Sequence, residues 1–218
     1  MSGKKITIEH IMELEFDNVI WDMDGTLLDS MEDWSNVGID YIISQGKNPS
    51  QNLSDTLDSM TPEESTDYLI SAYGLEKTKK EVEKEIFKLM EDKYRNTIEL
   101  KKNTFEILKK CKNAGKNMCI LTTSHRKMVE LSMKRLGIFE YFDYIYTATE
   151  LKLDKRSRKV YEKAGELSGF DMKKTLIFED AGYAIKSAAE TDAVVIAVPD
   201  DYYKKEWKVI CENADFYL

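Results

Sequence analysis

Two aspartates separated by a single residue are the most chemically informative feature of the sequence. Asp22 and Asp24 follow a half-apolar run in "FDNVIWDMDGTLLDS" and stand directly before Gly25. Two carboxylates so close repel each other unless a cation lies between them or one of them keeps its proton. A glycine lets the chain turn sharply, so that both carboxylates can face one pocket. The spacing therefore predicts a site in which one carboxylate stays ionised and the other carries a proton.

A second acidic pair, Glu179 and Asp180, ends an apolar run much later in the chain. Together with Asp22 and Asp24 it would offer hard oxygen ligands, the type that Mg²⁺ prefers. The cation would also remove the repulsion between the first two aspartates. One carboxylate acting as nucleophile and another as acid and base are what phosphoryl or acyl transfer through an aspartyl intermediate requires.

Five short apolar runs predict the strands that position these residues: 16–21, 117–123, 142–147, 175–180 and 193–199. Helical stretches lie between most of them, which predicts an α/β fold with a doubly wound parallel sheet. In such open sheets ligands bind beyond the carboxyl ends of the strands. Polar residues lie at the ends of the first, second and fourth runs: Asp22, Asp24, Thr122, Thr123, Ser124, Glu179 and Asp180.

The chain between the first two runs has a different pattern. Capping boxes beginning at Thr61 and Thr78 precede stretches of helical periodicity. We therefore expect a small helical domain at residues 31–100, inserted into an α/β core made of residues 1–30 and 101–218. The N-terminal extension before Phe16 has no recognisable function.

Composition limits the partners of the protein. The 218 residues carry a formal net charge of -8, which argues against general nucleic-acid binding. No apolar run approaches the roughly 20 residues of a membrane span, and the N-terminus lacks the apolar core of a signal peptide, so we expect a cytoplasmic protein without a membrane partner. Three cysteines without metal-ligand spacing predict free, buried thiols. The sequence does not determine the oligomeric state, and it is compatible with a monomer.

Four motifs resemble those of the haloacid dehalogenase superfamily, and they occur in the same order. "WDMDGTLLDS" resembles the first motif, DxDGT(L/V)xDS, and "MCILTTS" resembles the second, a strand that ends in Thr or Ser. "KRSRKVYEKA" resembles the third motif, a lysine that opens a helix with hydrophobic residues at its sixth and seventh positions. This motif points to Lys155, with Lys152 and Lys159 as neighbouring alternatives. "LIFEDAGYAIKSAA" resembles the acidic fourth motif in its Glu-Asp form. The resemblance covers roughly residues 16–218, and it implies a Rossmann-like core with an inserted helical cap.

The resemblance implies a role for each matching residue. Asp22 would be the nucleophile that becomes phosphorylated and would also bind Mg²⁺, while Asp24 would act as general acid and base and contribute its backbone carbonyl to the metal. Thr122 would donate to the transferring phosphoryl group, and Lys155 would offset the negative charge. Glu179 and Asp180 would complete the metal site. Three residues beside Thr122 are candidate substrate ligands: Thr123, Ser124 and Arg126.

The sequence departs from the family pattern at several positions. Ala181 replaces the serine that commonly follows the Glu-Asp pair, and Ala184 replaces a Gly or Asp. The prolines usual after the third-motif lysine are absent, and Arg156 and Arg158 stand there instead. These changes spare the charged groups of the four motifs.

Three functions are compatible with these motifs. The first is a phosphatase of a small phosphorylated metabolite, and the second is a phosphosugar mutase of the β-phosphoglucomutase type. The third is a non-enzymatic phospho-acceptor module, against which the second aspartate and the insertion both argue. Residues 48–76 contain no Lys, Arg or His and several acidic residues. This stretch favours a monophosphate substrate whose far end is neutral or cationic.

Overall fold

Seven parallel strands form one sheet in the computed structural model, which describes residues 3–58 and 60–218. The first two residues of the predicted core and residue 59 of the predicted insertion lie outside the described residues. The sheet order is β1-β7-β6-β5-β2-β3-β4. The strands are β1 Lys4–Lys5, β2 Asn18–Trp21, β3 Asn117–Thr122, β4 Tyr144–Thr147, β5 Thr175–Glu179, β6 Val194–Ala197 and β7 Phe216–Tyr217. The predicted parallel α/β sheet is confirmed.

The strand order reverses at β2. From β2 the chain continues to β3 and β4 on one side, and then it crosses to β5 and β6 on the other side. Such a reversal leaves a crevice at the carboxyl ends of the strands on either side of it. Asp22 immediately follows β2, so the first carboxylate of the sequence lies at this crevice.

The central strands are rich in apolar residues because both faces of the sheet are buried there. Val19, Ile20 and Trp21 of β2 are fully buried, as expected for a near-continuous apolar run in a parallel sheet. Trp21 is in register with Phe178 of β5, and their rings stack at a centroid distance of 4.1 Å. This aromatic contact joins the two strands that carry the acidic residues.

The N-terminal extension belongs to the sheet, which the sequence did not predict. β1 pairs with β7 at the sheet edge, and Gly3 donates its backbone N–H to the Cys211 carbonyl. A Cβ on Gly3 would lie 2.6 Å from that carbonyl oxygen, so the close approach requires glycine. The two-residue strands β1 and β7 are too short for a periodic signal, which explains why five strands were predicted and seven are observed.

The chain divides into two compact units, one of which combines the residues up to Asp29 with Glu99–Leu218. Its apolar core packs one face of the sheet against the helices that follow β4, β5 and β6. The helices of this unit are α1 Ile8–Glu13, α6 Lys102–Asn113, α7 Arg126–Arg135, α8 Ala148–Leu151, α9 Lys159–Ser168, α10 Gly182–Ala188 and α11 Trp207–Asn213.

The second unit, Ser30–Ile98, is helical and has an apolar core of its own. Both predicted capping boxes are present, Thr61 with Glu64 and Thr78 with Glu81. Gly74 ends the first of these helices in the left-handed conformation, with a φ of 55°. The helices are α2 Met31–Ser44, α3 Leu53–Asp58, α4 Pro62–Tyr73 and α5 Lys79–Asn96.

A short antiparallel ladder closes the core where the chain leaves it and returns. Asp29 donates its backbone N–H to the Glu99 carbonyl at 2.9 Å, and Lys101 donates to the Leu27 carbonyl at 2.8 Å. Leu28 and Leu100 form a bridge between these two bonds. The two ends of the insertion are therefore held side by side within the core unit.

The three cysteines are free thiols, and burial raises the pKa of Cys111 and of Cys119 to about 12. Within residues 3–58 and 60–218, no helix is long and apolar enough to cross a membrane.

Candidate active site

Three neighbouring strands bring the predicted site residues to one edge of the sheet. Asp22 follows β2, Glu179 ends β5 and Thr122 ends β3, and β2 lies between the other two strands. The Asp22 backbone N–H donates to the Phe178 carbonyl at 3.0 Å, which extends the pairing of β2 and β5 beyond the strand end. Asp22 is thereby fixed beside Glu179 and Asp180.

Three buried carboxylates form the centre of this site. Asp22, Glu179 and Asp180 each offer one carboxylate oxygen, and these oxygens lie within 4.8 Å of one another. Asp180 Oδ1 accepts from the Thr26 hydroxyl at 3.4 Å, whereas Asp180 Oδ2 is buried without a hydrogen-bond partner. A buried carboxylate oxygen without a partner is costly, so this atom points to a ligand that the three acids would share.

Lys155 is the cation of this cluster. Its Nζ donates to Asp22 Oδ1 at 2.5 Å and to Glu179 Oε1 at 2.6 Å, and its side chain is 2% exposed. The neighbouring alternatives Lys152 and Lys159 are both exposed. We expected the lysine to open a helix, but α9 begins at Lys159, so Lys155 lies on the preceding loop.

Burial and mutual repulsion perturb the ionisation of the acids. Burial and the charge of Asp22 raise the pKa of Glu179 to about 7, although Lys155 and Tyr161 oppose the shift. Burial, Asp22 and Glu179 hold the pKa of Asp180 well above its usual range. Burial alone would lower the pKa of Lys155, but the charges of Asp22 and Glu179 raise it above its ordinary value. Three carboxyl groups facing one lysine therefore disfavour one another's ionised forms.

The donor set fits Mg²⁺. It offers carboxylate oxygens only, the hard ligands of this ion, and three carboxylates face a single ammonium group. A divalent cation would balance the remaining charge and would give Asp180 Oδ2 a partner. Asp22, Glu179 and Asp180 are the residues that would hold it. The backbone carbonyl of Asp24 stays a predicted ligand.

Asp24 directly precedes a sharp turn, and its side chain contacts the second motif. Gly25 has a φ of 79°, which favours glycine, and its N–H donates to the Leu28 carbonyl at 2.9 Å. The half-buried Asp24 side chain accepts from the Ser124 hydroxyl at 2.6 Å. The first and second motifs are thus joined through a carboxylate that is separate from the three-acid cluster.

The second motif places its hydroxyl groups in different environments. Thr122 is buried, and its Oγ1 accepts from the Ser124 backbone N–H at 3.0 Å. Thr123 is exposed, and Ser124 is half-buried. The turn follows β3, the neighbour of β2, so its hydroxyl groups lie at the same edge of the sheet as Asp22.

The Arg126 side chain contacts residues outside the predicted site. Its guanidinium group forms a bidentate ion pair with Glu150, at 2.6 and 2.7 Å, and donates to the Ile145 carbonyl. The predicted candidate substrate ligand is therefore not brought to the acid cluster. Glu150 is far from Arg126 in sequence, so nothing in the motif could reveal this pair.

Two residues at the site were missed by sequence reasoning. The Tyr161 hydroxyl donates to Glu179 Oε1 at 2.9 Å, the same oxygen that accepts from Lys155. The motif pattern presented Tyr161 only as a hydrophobic position of α9, although a buried tyrosine hydroxyl usually needs a partner. Thr26 belongs to the first motif, and its hydrogen bond to Asp180 joins that motif to the fourth.

The comparison with family models decides the assignment. The model of haloacid dehalogenase-like hydrolases matches residues 19–198. The chain belongs to this family. The resemblance of the four motifs is thus confirmed, and the protein is an enzyme of a hydrolase family. Residues 19–198 include all four motifs and the whole insertion, so every candidate site residue falls inside the matched region.

Individual relatives are distant. The GMP/IMP nucleotidase YrfG of Escherichia coli is 21% identical over 81% of this chain and 79% of its own. An uncharacterised protein of Haemophilus influenzae is 30% identical, but the match spans only 38% of this chain and 42% of that protein. A Thermotoga maritima protein assigned as a β-phosphoglucomutase has a TM-score of 0.82 at 18% identity, covering 93% of this chain and 94% of its own. This last likeness shows the shared fold.

Proposed function

We propose that the protein is a Mg²⁺-dependent phosphatase that hydrolyses a small phosphorylated metabolite through a phospho-aspartyl intermediate. One observation carries the proposal: buried Asp22 lies in a cluster of three carboxylates, bonded to buried Lys155, at the carboxyl edge of the sheet. Phosphoryl transfer requires mainly that the protein position the reacting groups and stabilise their charge, and this cluster is suited to both.

Asp22 is the nucleophile of the first step. Its carboxylate oxygen forms a bond to phosphorus while the ester P–O bond breaks. Asp24 donates its proton to the leaving oxygen, which departs as an alcohol. Lys155 lies 2.5 Å from Asp22 Oδ1 and offsets negative charge there. A bound Mg²⁺ would supply further charge stabilisation and hold the phosphoryl group in line.

Asp24 acts as a base in the second step. It removes a proton from water as the water oxygen attacks phosphorus, and the bond between Asp22 and phosphorus breaks. Free phosphate leaves, the Asp22 carboxylate is restored, and Asp24 is protonated again. The hydrogen bond from Ser124 to Asp24 is suited to hold the carboxyl group in place through both steps.

The helical unit Ser30–Ile98 is proposed to act as the cap that excludes bulk water during these steps. Two of its lysines are paired with acids of the same unit. Lys93 contacts Asp33 and Asp40, both at 2.7 Å, and Lys79 contacts Glu63 and Asp67, at 3.0 and 2.9 Å. Paired lysines are poor ligands for a second phosphate. These pairs support a monophosphate substrate with a neutral or cationic far end.

Hydrolysis is tested first by substitution of the nucleophile. Asp22→Asn should lower phosphate release from any substrate by about three orders of magnitude or more, because an amide neither attacks phosphorus nor binds a hard cation well. The measurement is phosphate release from a panel of sugar phosphates, nucleoside monophosphates and small organic phosphates, with Mg²⁺ or with a chelator. Asp17→Asn is the matched control, since Asp17 precedes the same strand and pairs with Lys174 at the surface. Activity retained in Asp22→Asn or in chelator would contradict the proposal.

A phosphosugar mutase is the second candidate, and the assignment of the Thermotoga maritima protein favours it. A mutase that works through a bisphosphate must hold a second phosphate, normally with Arg or Lys side chains. The experiment incubates the enzyme with hexose 1-phosphates and a trace of bisphosphate and follows phosphate and isomer ratio together. Isomer interconversion that outpaces phosphate release would make the protein a mutase. The cytoplasmic location and the absence of nucleic-acid and membrane partners stay predictions.

A further inference from the structure

The loop that carries Lys155 lacks the means by which such a loop is usually stiffened. Residues 155–158 contain no proline, so no pyrrolidine ring fixes a backbone φ there. Lysine has a flexible four-carbon side chain, and the position of its Nζ therefore depends on how firmly the backbone beneath it is held. Lys155 nonetheless reaches Asp22 and Glu179 at 2.5 and 2.6 Å. Another element must hold this backbone.

Helix α10 contacts the loop at two consecutive residues. The Ser187 hydroxyl donates to the Lys155 backbone carbonyl, and both residues are buried. The guanidinium carbon of Arg156 lies 4.5 Å from the centroid of the Tyr183 ring. Tyr183 and Ser187 are four residues apart, so they lie on the same face of the helix. One face of α10 therefore holds the loop on both sides of the peptide bond that joins Lys155 to Arg156.

The same helix is fixed to the acid cluster. It begins at Gly182, two residues after Asp180, and Ala184, Ile185 and Ala188 anchor it in the core. The Tyr161 hydroxyl, which donates to Glu179, also lies 3.4 Å from the Ala184 carbonyl. One short element thus fixes both the acids of the fourth motif and the backbone of Lys155.

We propose that Ser187 is a positioning residue, whose hydrogen bond to the Lys155 carbonyl holds the loop so that the ammonium group stays within reach of Asp22 and Glu179. The inference rests on the proposed function, because it assigns Lys155 a part in phosphoryl transfer. Ser187 itself does not touch the reacting atoms. It acts through the backbone of the residue that does.

Ser132 provides a matched control for the alternative that Ser187 only stabilises its own helix. The Ser132 hydroxyl is buried and contacts the Met128 and Val129 carbonyls of α7, at 2.8 and 3.1 Å. Ser187 makes the equivalent contact to the Ala184 carbonyl at 3.0 Å, but it also reaches Lys155 in another segment. The two serines differ in this one partner, so their alanine variants separate the two roles.

Hydrogen exchange tests the contact without reference to activity. In the Mg²⁺-free protein, Ser187→Ala should speed the exchange of the amides of residues 154–158 by about fivefold or more, because local opening governs exchange. Two of these amides, Arg156 and Ser157, are hydrogen-bonded to Asp154. Ser132→Ala should leave them unchanged. Ser187→Cys, which keeps the volume and donates only weakly, serves if the alanine variant does not fold.

Kinetics test the consequence for the site. Ser187→Ala and Ser187→Cys should lower kcat by roughly tenfold, since small displacements of catalytic groups have large effects on rate. They should also weaken inhibition by inorganic phosphate, which Lys155 would help to bind. Ser132→Ala should change neither quantity. Unchanged exchange at residues 154–158, or faster exchange with wild-type kcat and phosphate inhibition, would overturn the inference. A wild-type protein without phosphatase activity would refute the proposed function instead, and the exchange result would still decide whether Ser187 holds the loop.

Discussion

Asp24 is set apart from the other three acids of the site by its partner. Its carboxylate accepts a hydrogen bond from Ser124, whereas Asp22, Glu179 and Asp180 face one another. Asn at this position keeps an oxygen that can accept the hydrogen bond from Ser124, but its amide group can act neither as an acid nor as a base in catalysis. The substitution therefore isolates proton transfer from positioning.

We expect Asp24→Asn to lower turnover by something like the 10²- to 10⁴-fold typical of losing a general acid, while Mg²⁺ binding persists. Metal binding is measured by calorimetry on the substrate-free variant, and turnover by phosphate release. Ser124→Ala should have a smaller effect on turnover, because it removes the orienting hydrogen bond and leaves the carboxyl group. Loss of metal binding together with the fold in Asp24→Asn would show that the residue has a structural role.

For Asp180 we expect the opposite result, in which metal binding weakens and the fold is retained. Its Oδ2 atom is buried without a partner, and burial and neighbouring charges raise its pKa, so the metal-free protein gains little from this carboxylate. Asp180→Asn should raise the Mg²⁺ concentration needed for half-maximal activity by more than about tenfold, since changes around metal ligands commonly cost 10- to 100-fold in affinity. The thermal stability of the metal-free variant should match or exceed that of the wild type.

Asp143 is the control for that prediction. Its carboxylate accepts from the Met118 backbone N–H at 2.8 Å, at the amino end of β4, where no metal ligand lies. Asp143→Asn removes the charge that strengthens this hydrogen bond, so it should lower thermal stability modestly and leave the Mg²⁺ requirement unchanged. If Asp180→Asn behaved like this control, Asp180 would be a structural residue.

Helices α4 and α5 of the insertion depend on charged capping boxes, which makes their stability sensitive to pH. Hydrogen bonds from the Thr61 backbone and side chain lower the pKa of Glu64, and those from Thr78 lower the pKa of Glu81. A carboxyl group whose pKa is lower in the folded state stabilises the fold above its unfolded pKa, here about 4.5, and this stabilisation is lost as the pH falls through the folded value.

The test is the double substitution Glu64→Gln and Glu81→Gln, which keeps both hydrogen bonds and removes both charges. At pH 7 the wild type should be the more stable of the two, because the charges also favour the helix N-termini. The difference should shrink as the pH falls from 7 to 3. Hydrogen exchange of residues 62–73 and 79–96 at the two pH values measures it. A difference that does not change with pH would show that the charges contribute nothing.

The strands and helices also show what the sequence could predict. The central runs are recognisable because three or four consecutive apolar residues are buried on both faces, and the capping boxes because they involve residues three apart in the chain. Features set by distant partners are not recognisable in this way. The pair of Arg126 with Glu150, the two-residue strands β1 and β7, and the hydroxyl of Tyr161 each depend on a partner that only the folded chain brings close.

The sequence predicted which residues form the site, but it did not predict which other residues hold them in place. The motifs identified Asp22, Lys155 and the acids of β5, but the helix start at Lys159 shows that a lysine reached from a loop needs support from elsewhere. Sequence patterns encode which residue types occur and at what spacing. They do not encode which helix holds a loop, since that depends on packing between segments far apart in the chain.

At the scale of the molecule, each of the two units has an apolar core of its own, and the acid cluster belongs to the larger unit. A ligand that binds only the folded state stabilises it by mass action, by about 2.7 kcal/mol at 100 times its dissociation constant. We expect Mg²⁺ to slow amide exchange in β2 and β5 and to leave exchange in α4 unchanged. Native-state hydrogen exchange with and without Mg²⁺ measures this. Equal protection of α4 would show that the two units unfold together.

The ladder at the base of the insertion makes the helical unit an exchangeable module. The chain leaves the core at Asp29 and returns at Glu99, and one hydrogen bond of 2.9 Å joins these two residues. The segment between these two residues has the place of a hairpin loop, so its length and sequence can vary without distorting the strands of the sheet. Insertions from other proteins could be transplanted between Asp29 and Glu99 while Asp22, Lys155 and Asp180 keep their places. New substrate preferences could then arise by recombination of whole segments, with the catalytic edge inherited intact.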